Sequence, residues 1–338
     1  MKIFKVLFLA CLVLLLTFPV FAGGDRDKGS DGARVITLVG GAMLPDGHIF
    51  FRAAEKFKER MAVNYNGPHT VNIVLHHSGT LGSERDAAEL MIQGVAVDFY
   101  VLSPGWVASW ERTASLVAAP FLFRDKEHFL KSIEQNAFRP IEEALLRVGL
   151  RPLGYGGGSM RSVISRLPAQ TIDDFPKIRL RVQGSPVHQR SFAATGFQAT
   201  PLEYLEVYNA INTGVLDALE QEPSAVQSMR FFEVAPYYIL TEHEVVFRFF
   251  AFSEKRFQSF PKDVQDAILK SGAEAAAWHR DTEIAEAEDQ IAEMIRDNGL
   301  RVIPFDNTEM RRRAQPAVEE FAREIGAEHI LRAIQNIR

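Results

Sequence analysis

One short segment of the sequence has the residue types and spacing of an anion-binding strand. Lys177, Arg179 and Arg181 alternate with apolar residues, and the chain turns just after them at Gly184. An arginine at the end of a strand offers a two-pronged donor that matches a carboxylate. A helix that begins at Ser185 would add free amide groups and the positive end of its dipole. The same alternation is also typical of a half-exposed strand, so a solvated face is the alternative.

Catalytic signatures are hard to find elsewhere in the chain. The glycine-rich segment 154–162 lacks the spacing of a nucleophile elbow, a P-loop or a dinucleotide-binding loop. The histidines lack H-E-x-x-H spacing, and we predict neither a metal site nor a cofactor. Glu286, Glu288 and Asp289 lie on a long helical segment and are interpreted as a solvated face. The sequence does not exclude a Ser–His–acid triad, so a secreted hydrolase is one alternative function.

The composition predicts a two-domain protein that does not bind nucleic acid. A chain of 338 residues exceeds the usual size of a single hydrophobic core. Its net charge of −5 and the absence of a basic stripe argue against phosphate backbones as partners. The chain has 25 phenylalanines, and Phe50, Phe51, Phe249 and Phe250 are assigned to the core and not to a site.

The first 22 residues have the composition of an export signal. Two lysines, an apolar run to Phe21 and small residues up to Ala22 are typical of a secretory signal cleaved after Ala22. An uncleaved membrane anchor is the alternative. The single cysteine, Cys11, lies in this segment, so the mature chain would have no thiol for catalysis, metal binding or disulfides. Residues 23–33 offer nothing to bury and are predicted to form a disordered leader.

From Arg34 onward, strand patterns alternate with helical patterns. This alternation predicts parallel β-sheets covered by helices. The scheme is repeated from Lys177 onward, which indicates two α/β lobes. The longest helical pattern runs over about 262–298 and is long enough to brace both lobes. Two helices broken near Gly272 are the alternative.

Long motifs in both halves of the chain resemble the solute-binding proteins of TRAP transporters, the DctP type. The segments that carry the resemblance are "SGTLGSERDAAELMIQG", "APFLFRDKEHF", "DDFPKIRLRVQGSP", "GFQATPLEYLEVYNAINTGVLDALEQEPSAVQ" and "FFEVAPYYILTEH". They follow one another in the family's order, and the resemblance covers nearly the whole mature chain.

The resemblance implies an α/β, two-lobed periplasmic binding protein fold. Each lobe is expected to be a β-sheet flanked by helices, with hinge strands and a long helix spanning both. The expected limits are 34–158 plus about 247–275 for lobe 1, 159–246 plus about 300–338 for lobe 2, and about 262–298 for the helix. These limits place a ligand cleft between the lobes.

The resemblance also implies the function and the partners. The protein would bind a small organic acid in the cleft and deliver it to a TRAP permease with a small and a large membrane subunit. No bond would be broken, and we predict a periplasmic monomer. A sensory binding protein that presents its ligand to a receptor is a further alternative.

Five candidate ligand-binding residues follow from the family's motifs. Arg181 matches the central arginine that forms the salt bridge to the ligand carboxylate, which favours the functional interpretation of its strand. Arg161 matches a second arginine that follows a glycine-rich turn, with a surface-loop arginine as the alternative. Glu84, Ser103 and Tyr204 match cleft-facing positions. Helix capping is the alternative for Glu84, and core packing is the alternative for Tyr204.

The sixth candidate lies where the chain departs from the family pattern. The family places a ligand-contacting asparagine before a proline, whereas this chain reads "DALEQEP". Gln221 takes the place of the amide, Ala218 replaces a glycine, and Glu222 is inserted before Pro223. The amide chemistry is kept. The longer side chain and the extra acid leave the identity of the organic acid open.

Overall fold

The computed structural model describes residues 33–338 as a mixed α/β fold. The export signal predicted over 1–22 lies outside the described residues, as does the predicted leader apart from Ala33. Over the part of the chain that is described, no helix is both long and apolar enough to cross a membrane.

One sheet runs through the described chain. Its strands are β1 (Val35–Gly41), β2 (Thr70–His76), β3 (Phe99–Leu102), β4 (Leu150–Ser165), β5 (Arg179–Val182), β6 (Gln198–Pro201), β7 (Ala218–Gln221), β8 (Tyr237–Ser253) and β9 (Arg301–Pro304). Their order is β2-β1-β3-β8-β4-β7-β5-β6, and β9 pairs with β8.

Helices cover this sheet. They are α1 (Ile49–Asn64), α2 (Glu84–Gln93), α3 (Lys126–Glu134), α4 (Arg139–Arg147), α5 (Pro186–Thr195), α6 (Val207–Asn212), α7 (Pro223–Ser228), α8 (Glu254–Ser259), α9 (Lys262–Asn298), α10 (Thr308–Glu324) and α11 (Glu328–Gln335). The α/β class predicted from the alternating patterns is therefore confirmed.

The prediction of parallel sheets is correct for the outer strands and wrong for the centre. β1 pairs in parallel with β2 and β3, and β5 pairs in parallel with β6 and β7. In the centre, β4 and β8 are antiparallel and have 16 and 17 residues. Local patterns do not reveal β4 as a strand, because it contains Pro152 and four glycines, residue types that favour turns.

β4 and β8 join the two halves of the sheet. Leu150 pairs with Ser253 beside β3, whereas Ser165 pairs with Tyr237 beside β7. Irregularities interrupt the β4–β8 register at three points, one of them between Gly157 and Met160. Strands that pass through both halves with such breaks have the geometry of hinge strands, so the two-lobed fold is confirmed. The lobe limits at 158/159 and 246/247 remain predictions.

The long helix α9 is continuous, so the alternative with a break near Gly272 is wrong. Its 37 residues reach about 55 Å at 1.5 Å per residue. A Cβ added to Gly272 would lie 2.5 Å from the Cβ of Leu153 on β4. Glycine is therefore needed here for close packing of the helix on the hinge strand. α9 packs against α1 and β4 and also reaches α7, as expected for a helix that braces both lobes.

The C-terminal helices contact different halves of the protein. α10 packs on α5 in the second half. α11 instead lies against the first half, where the Arg124 side chain donates to the carbonyls of Gln335 and Ile337 at 3.3 and 2.7 Å. The His128 Nε2 lies 2.9 Å from the carbonyl oxygen of Ile334. These contacts favour assigning α11 to lobe 1, although the expected limits place it in lobe 2.

Gly157 provides a test of the hinge strands. Its φ is +100°, and an added Cβ would lie 2.0 Å from the Val246 carbonyl oxygen. We expect Gly157→Ala to lower the free energy of unfolding by about 2 kcal/mol or more, because left-handed strain is combined with a backbone clash. Gly47→Ala is the matched control, since Gly47 has φ +82° and nothing within 4 Å of the added Cβ. Thermal unfolding would contradict this account if both variants lost the same stability.

Candidate ligand-binding site

A cavity of about 310 Å³ lies between the two halves of the protein. It is lined by Met43, Leu44, Phe50, Glu84, Ser103, Trp106, Arg161, Arg181, Gln183, Tyr204, Gln221 and Arg248. All six candidate residues from the sequence lie in this lining, so the structure brings them together in one place.

A larger cavity of about 560 Å³ lies against α9. Its lining includes Met160, Leu240, Ile284 and Ile291 but none of the arginines of the smaller cavity. Since it offers no guanidinium for an acid, we place the candidate site in the smaller, arginine-lined cavity.

Arg181 lies on β5 and is buried, with 1% of its surface exposed. Its Nε donates to the Leu202 carbonyl at 2.9 Å, and its guanidinium carbon is 5.5 Å from the centre of the Tyr204 ring. Within residues 33–338, its Nη2 has no hydrogen-bond partner. Among the described residues, no carboxylate lies within 4.0 Å of it, and burial lowers the pKa of Arg181. A buried cation without a counter-charge is costly, and an anionic ligand would remove that cost.

Lys177 and Arg179, the other two basic residues of the alternating segment, belong to a solvated face. Arg179 pairs with Asp217 at 2.7 Å, with its side chain 43% exposed. Lys177 is exposed and precedes the strand, since β5 begins at Arg179. The helix that follows is α5, but the Ser185 side chain makes no capping hydrogen bond, and Ser185 is not part of the cavity lining. The anion-binding interpretation therefore applies to Arg181 alone.

Arg161 lies inside β4 and is 1% exposed, so the surface-loop alternative is wrong. Its Nε donates to Glu220 and its Nη1 to Glu222, both at 2.6 Å, and its Nη2 donates to the Glu220 carbonyl at 2.9 Å. Burial opposes the charged form, but the two glutamates outweigh it and raise the pKa of Arg161. At least two of its five N–H groups are left for other partners, so a hydrogen bond from Arg161 to the ligand stays a prediction.

A buried charged cluster behind Arg161 was missed by the sequence analysis. Glu244 contacts His188 at 2.8 Å, and Glu220 lies 3.5 Å from His243. Burial alone would raise the pKa of Glu220, but Arg161 and His243 lower it far below its usual value. The potential metal-ligand atoms of Glu220, His243 and Glu244 lie within 4.8 Å of one another. The guanidinium of Arg161 already contacts Glu220, so the cluster contains a cation of its own.

Two candidate residues present hydrogen-bond acceptors to the cavity. Gln221 donates from Nε2 to the Tyr204 hydroxyl at 2.9 Å, and its Oε1 has no partner in the described part of the chain. Glu84 accepts from the Ser103 backbone N–H at 2.6 Å. Burial raises the pKa of Glu84, and the charge of Arg248 opposes this shift. The capping alternative for Glu84 is not needed, because Ser83 caps α2 through a capping box.

Contacts between lining residues of the cavity join the two halves. The Ser103 Oγ, after β3, donates to the Gln183 Oε1, after β5, at 2.9 Å. At the rim, a Cβ added to Gly184 would lie 3.0 Å from the Trp106 ring. The structure therefore has the two halves closed around the site.

Arg248 and the apolar lining were missed by the sequence analysis. Arg248 lies on β8, and its guanidinium carbon is 4.4 Å from the centre of the Phe50 ring. Its Nη2 is 3.5 Å from Glu222. The assignment of Phe50 to the core alone is wrong, since its ring also lines the cavity. Neither Phe50 nor Arg248 lies in the segments that resemble the family, and the sequence pattern of β8 does not indicate one long strand.

A serine on β4 and a histidine and a glutamate on α9 lie together, but they do not form a hydrolytic triad. Ser159 donates to Glu283, and His279 contacts the same glutamate at 2.9 Å. The acid thus lies between the other two, whereas a nucleophilic serine needs the histidine as its own partner. This cluster does not support the hydrolase alternative.

Comparisons with known proteins all indicate one family. The sequence model described as "Bacterial extracellular solute-binding protein, family 7" matches residues 40–324. A solute-binding protein of a Sulfitobacter species is 35% identical over 300 residues, which are 88% of this chain and 90% of the relative. The 2,3-diketo-L-gulonate-binding periplasmic protein of Escherichia coli is 28% identical over 74% of this chain and 76% of its own.

Two solved structures extend the comparison. A TRAP periplasmic solute-binding protein from Sulfitobacter, with bound α-D-taluronate, has a TM-score of 0.84 and 35% identity over 88% of this chain and 97% of its own. A TRAP periplasmic solute-binding protein from Roseobacter denitrificans, with bound β-D-glucuronate, has a TM-score of 0.82 and 26% identity over 89% of this chain and 100% of its own.

Proposed function

The chain belongs to the bacterial extracellular solute-binding proteins of family 7, the DctP family of TRAP transporters, and we propose that it binds a sugar acid of the hexuronate class between its lobes. The family is periplasmic, binds small acids and works with membrane permease subunits. The proposal extends to export by the signal at 1–22 and to delivery of the ligand to a small and a large permease subunit. The bound acid is released unchanged.

The main support for this proposal is that the guanidinium of Arg181 is buried without a carboxylate partner in the part of the chain that the structure describes. It is the one cavity arginine, among the described residues, with no carboxylate within 4.0 Å. Its Nη2 is buried and unpaired, and the ring of Tyr204 packs beside it. A ligand carboxylate at this guanidinium would form charge-assisted hydrogen bonds in a site shielded from water, where such bonds are strongest.

The rest of the lining favours hydroxyl groups on the ligand. The free Oε1 of Gln221 and the carboxylate of Glu84 are acceptors, and hydroxyl groups are the donors that match them. The rings of Phe50 and Trp106 give the cavity an apolar wall of the kind common in small-molecule sites. Relatives agree with this chemistry, since two similar solved structures contain taluronate and glucuronate.

Lobe closure completes the proposed mechanism. The hydrogen bond between Ser103 and Gln183 joins the two halves within the lining of the cavity. Opening the lobes would break it and admit water to Arg181. Binding is thus a two-state process in which the ligand favours the closed state because it pairs the buried guanidinium only there.

A panel of ligands tests the proposed function. We expect glucuronate, galacturonate or taluronate to raise the midpoint of thermal unfolding, since binding to the folded state alone stabilises it. Glucose is the matched control, because it keeps the ring and hydroxyls but lacks the carboxylate. Calorimetry should give a one-to-one complex, and NMR should show the ligand unchanged. Stabilisation by glucose but by no uronate, or conversion of the ligand, would contradict the proposal.

A further inference from the structure

The acid inserted before Pro223 lies between two arginines of the site. Glu222 is fully buried directly after β7. Its Oε2 is 2.6 Å from Nη1 of Arg161, and its Oε1 is 3.5 Å from Nη2 of Arg248. Both arginines line the cavity, whereas Glu222 itself does not. Glu222 therefore contacts both guanidinium groups from outside the space that a ligand would occupy.

The three arginines that line the cavity consequently differ in the number of carboxylates near them. Arg161 has Glu222 and also Glu220 as partners at 2.6 Å. For Arg248, Glu222 is the one carboxylate within 4.0 Å among the described residues. Arg181 has none. Without Glu222 the cavity would expose two incompletely paired cations, Arg181 and Arg248, which is the arrangement that suits a ligand with a carboxylate at each end.

We propose that Glu222 restricts the site to ligands with a single carboxylate, by acting as the internal counter-anion of Arg161 and Arg248. This inference rests on the proposed function, in which Arg181 takes the ligand's carboxylate. A second carboxylate on the ligand would meet arginines that already have a carboxylate nearby, with a buried like charge behind them. Burial raises the pKa of Glu222, but the charges of Arg161 and Arg248 oppose that shift. Like charges that share a buried site repel strongly. A hydroxyl-bearing end avoids this repulsion and can donate to Glu84 or Gln221.

Two open-chain acids with the same hydroxyl configuration allow the effect of a second carboxylate on binding to be measured by itself. Galactonate has one carboxylate, and galactarate has one at each end. For the wild-type protein we expect galactonate to bind at least about tenfold more tightly than galactarate, because of the like-charge repulsion. If the wild-type protein binds the two acids with equal affinity, the inference is overturned, and no variant is needed to show this.

The variant Glu222→Gln tests the residue itself. It keeps the shape and an oxygen acceptor for Arg161 but removes the negative charge. We expect its affinity for galactarate to rise about tenfold to a hundredfold over that of the wild type, with galactonate changed less than about threefold. Glu222→Asp keeps the charge and should keep the rejection of galactarate. Calorimetry after a thermal unfolding check measures all four combinations of variant and ligand.

Asp217→Asn is the matched control, because Asp217 is also buried but pairs with Arg179, which does not line the cavity. It should leave the preference between the two acids unchanged. The inference is overturned if Glu222→Gln gains no affinity for galactarate, or if Glu222→Asp or Asp217→Asn gains as much. Failure of the proposed function is a separate result: the wild-type protein would then bind no uronate, or would bind one without needing Arg181.

Discussion

Replacing Arg181 by alanine is expected to weaken binding of the preferred hexuronate by about thirtyfold to several thousandfold. This corresponds to about 2–5 kcal/mol, the usual cost of removing one partner of a buried, hydrogen-bonded charge pair. The expectation rests on the lack of a counter-charge for this guanidinium, whose one hydrogen-bond acceptor within residues 33–338 is the Leu202 carbonyl. When Arg181 is absent, the part of the chain that the structure describes offers the ligand no other cavity cation that lacks a carboxylate partner. Isothermal titration calorimetry on the purified variant measures the loss.

Two further substitutions make this test specific. Arg181→Lys keeps the charge but loses the two-pronged geometry, so its affinity should lie between those of the wild type and the alanine variant. Arg179→Ala is the matched control, since Arg179 lies two residues away on the same strand, is 43% exposed and is paired with Asp217. It should bind as the wild type does. Wild-type affinity in Arg181→Ala would exclude Arg181 from the site.

Replacing Arg161 by methionine is expected to lower the free energy of unfolding more than any other single substitution in the site. The substitution would leave Glu220 and Glu222 buried without their guanidinium partner. Breaking a buried ion pair by removing one member typically costs about 3–5 kcal/mol, because the remaining charge is uncompensated. We expect a loss of this size in the ligand-free protein, measured by denaturant unfolding at pH 7.

The matched control for this stability loss is Arg52→Met. Arg52 forms two hydrogen bonds with Glu286 at 2.8 and 3.0 Å, but its side chain is 33% exposed. Such surface pairs contribute about 1 kcal/mol or less. If Arg161→Met is no less stable than Arg52→Met, the buried glutamates do not depend on Arg161, and the ion cluster has no structural importance.

The sequence was informative wherever local patterns decide the structure. The first lobe's alternation of strands and helices follows from side-chain periodicity, and α2 begins at the capping residue Ser83 as its sequence indicates. The uninterrupted pattern of 262–298 forms one helix, because Gly272 serves close packing on β4 and not a break. The six candidate site residues followed from family motifs, and they share one cavity.

The parts that the sequence did not reveal depend on contacts between distant residues. Arg161 is separated from Glu220 and Glu222 by 59 and 61 positions, and His188 is separated from Glu244 by 56 positions. No periodicity within one element can indicate such pairs. The hinge strand β4 was hidden for a different reason, since its glycines look like a turn until β8 pairs with it. The role of Glu222 became visible only when both of its arginine partners were located.

A crystal structure of the protein with its preferred hexuronate tests the central claim most directly. The account predicts that the ligand's carboxylate lies within about 3 Å of the Arg181 guanidinium, the distance of a charge-assisted hydrogen bond. It also predicts sugar hydroxyls near Gln221 and Glu84. An uncharged group against Arg181, or an Arg181 side chain turned toward bulk solvent in the complex, would contradict the account.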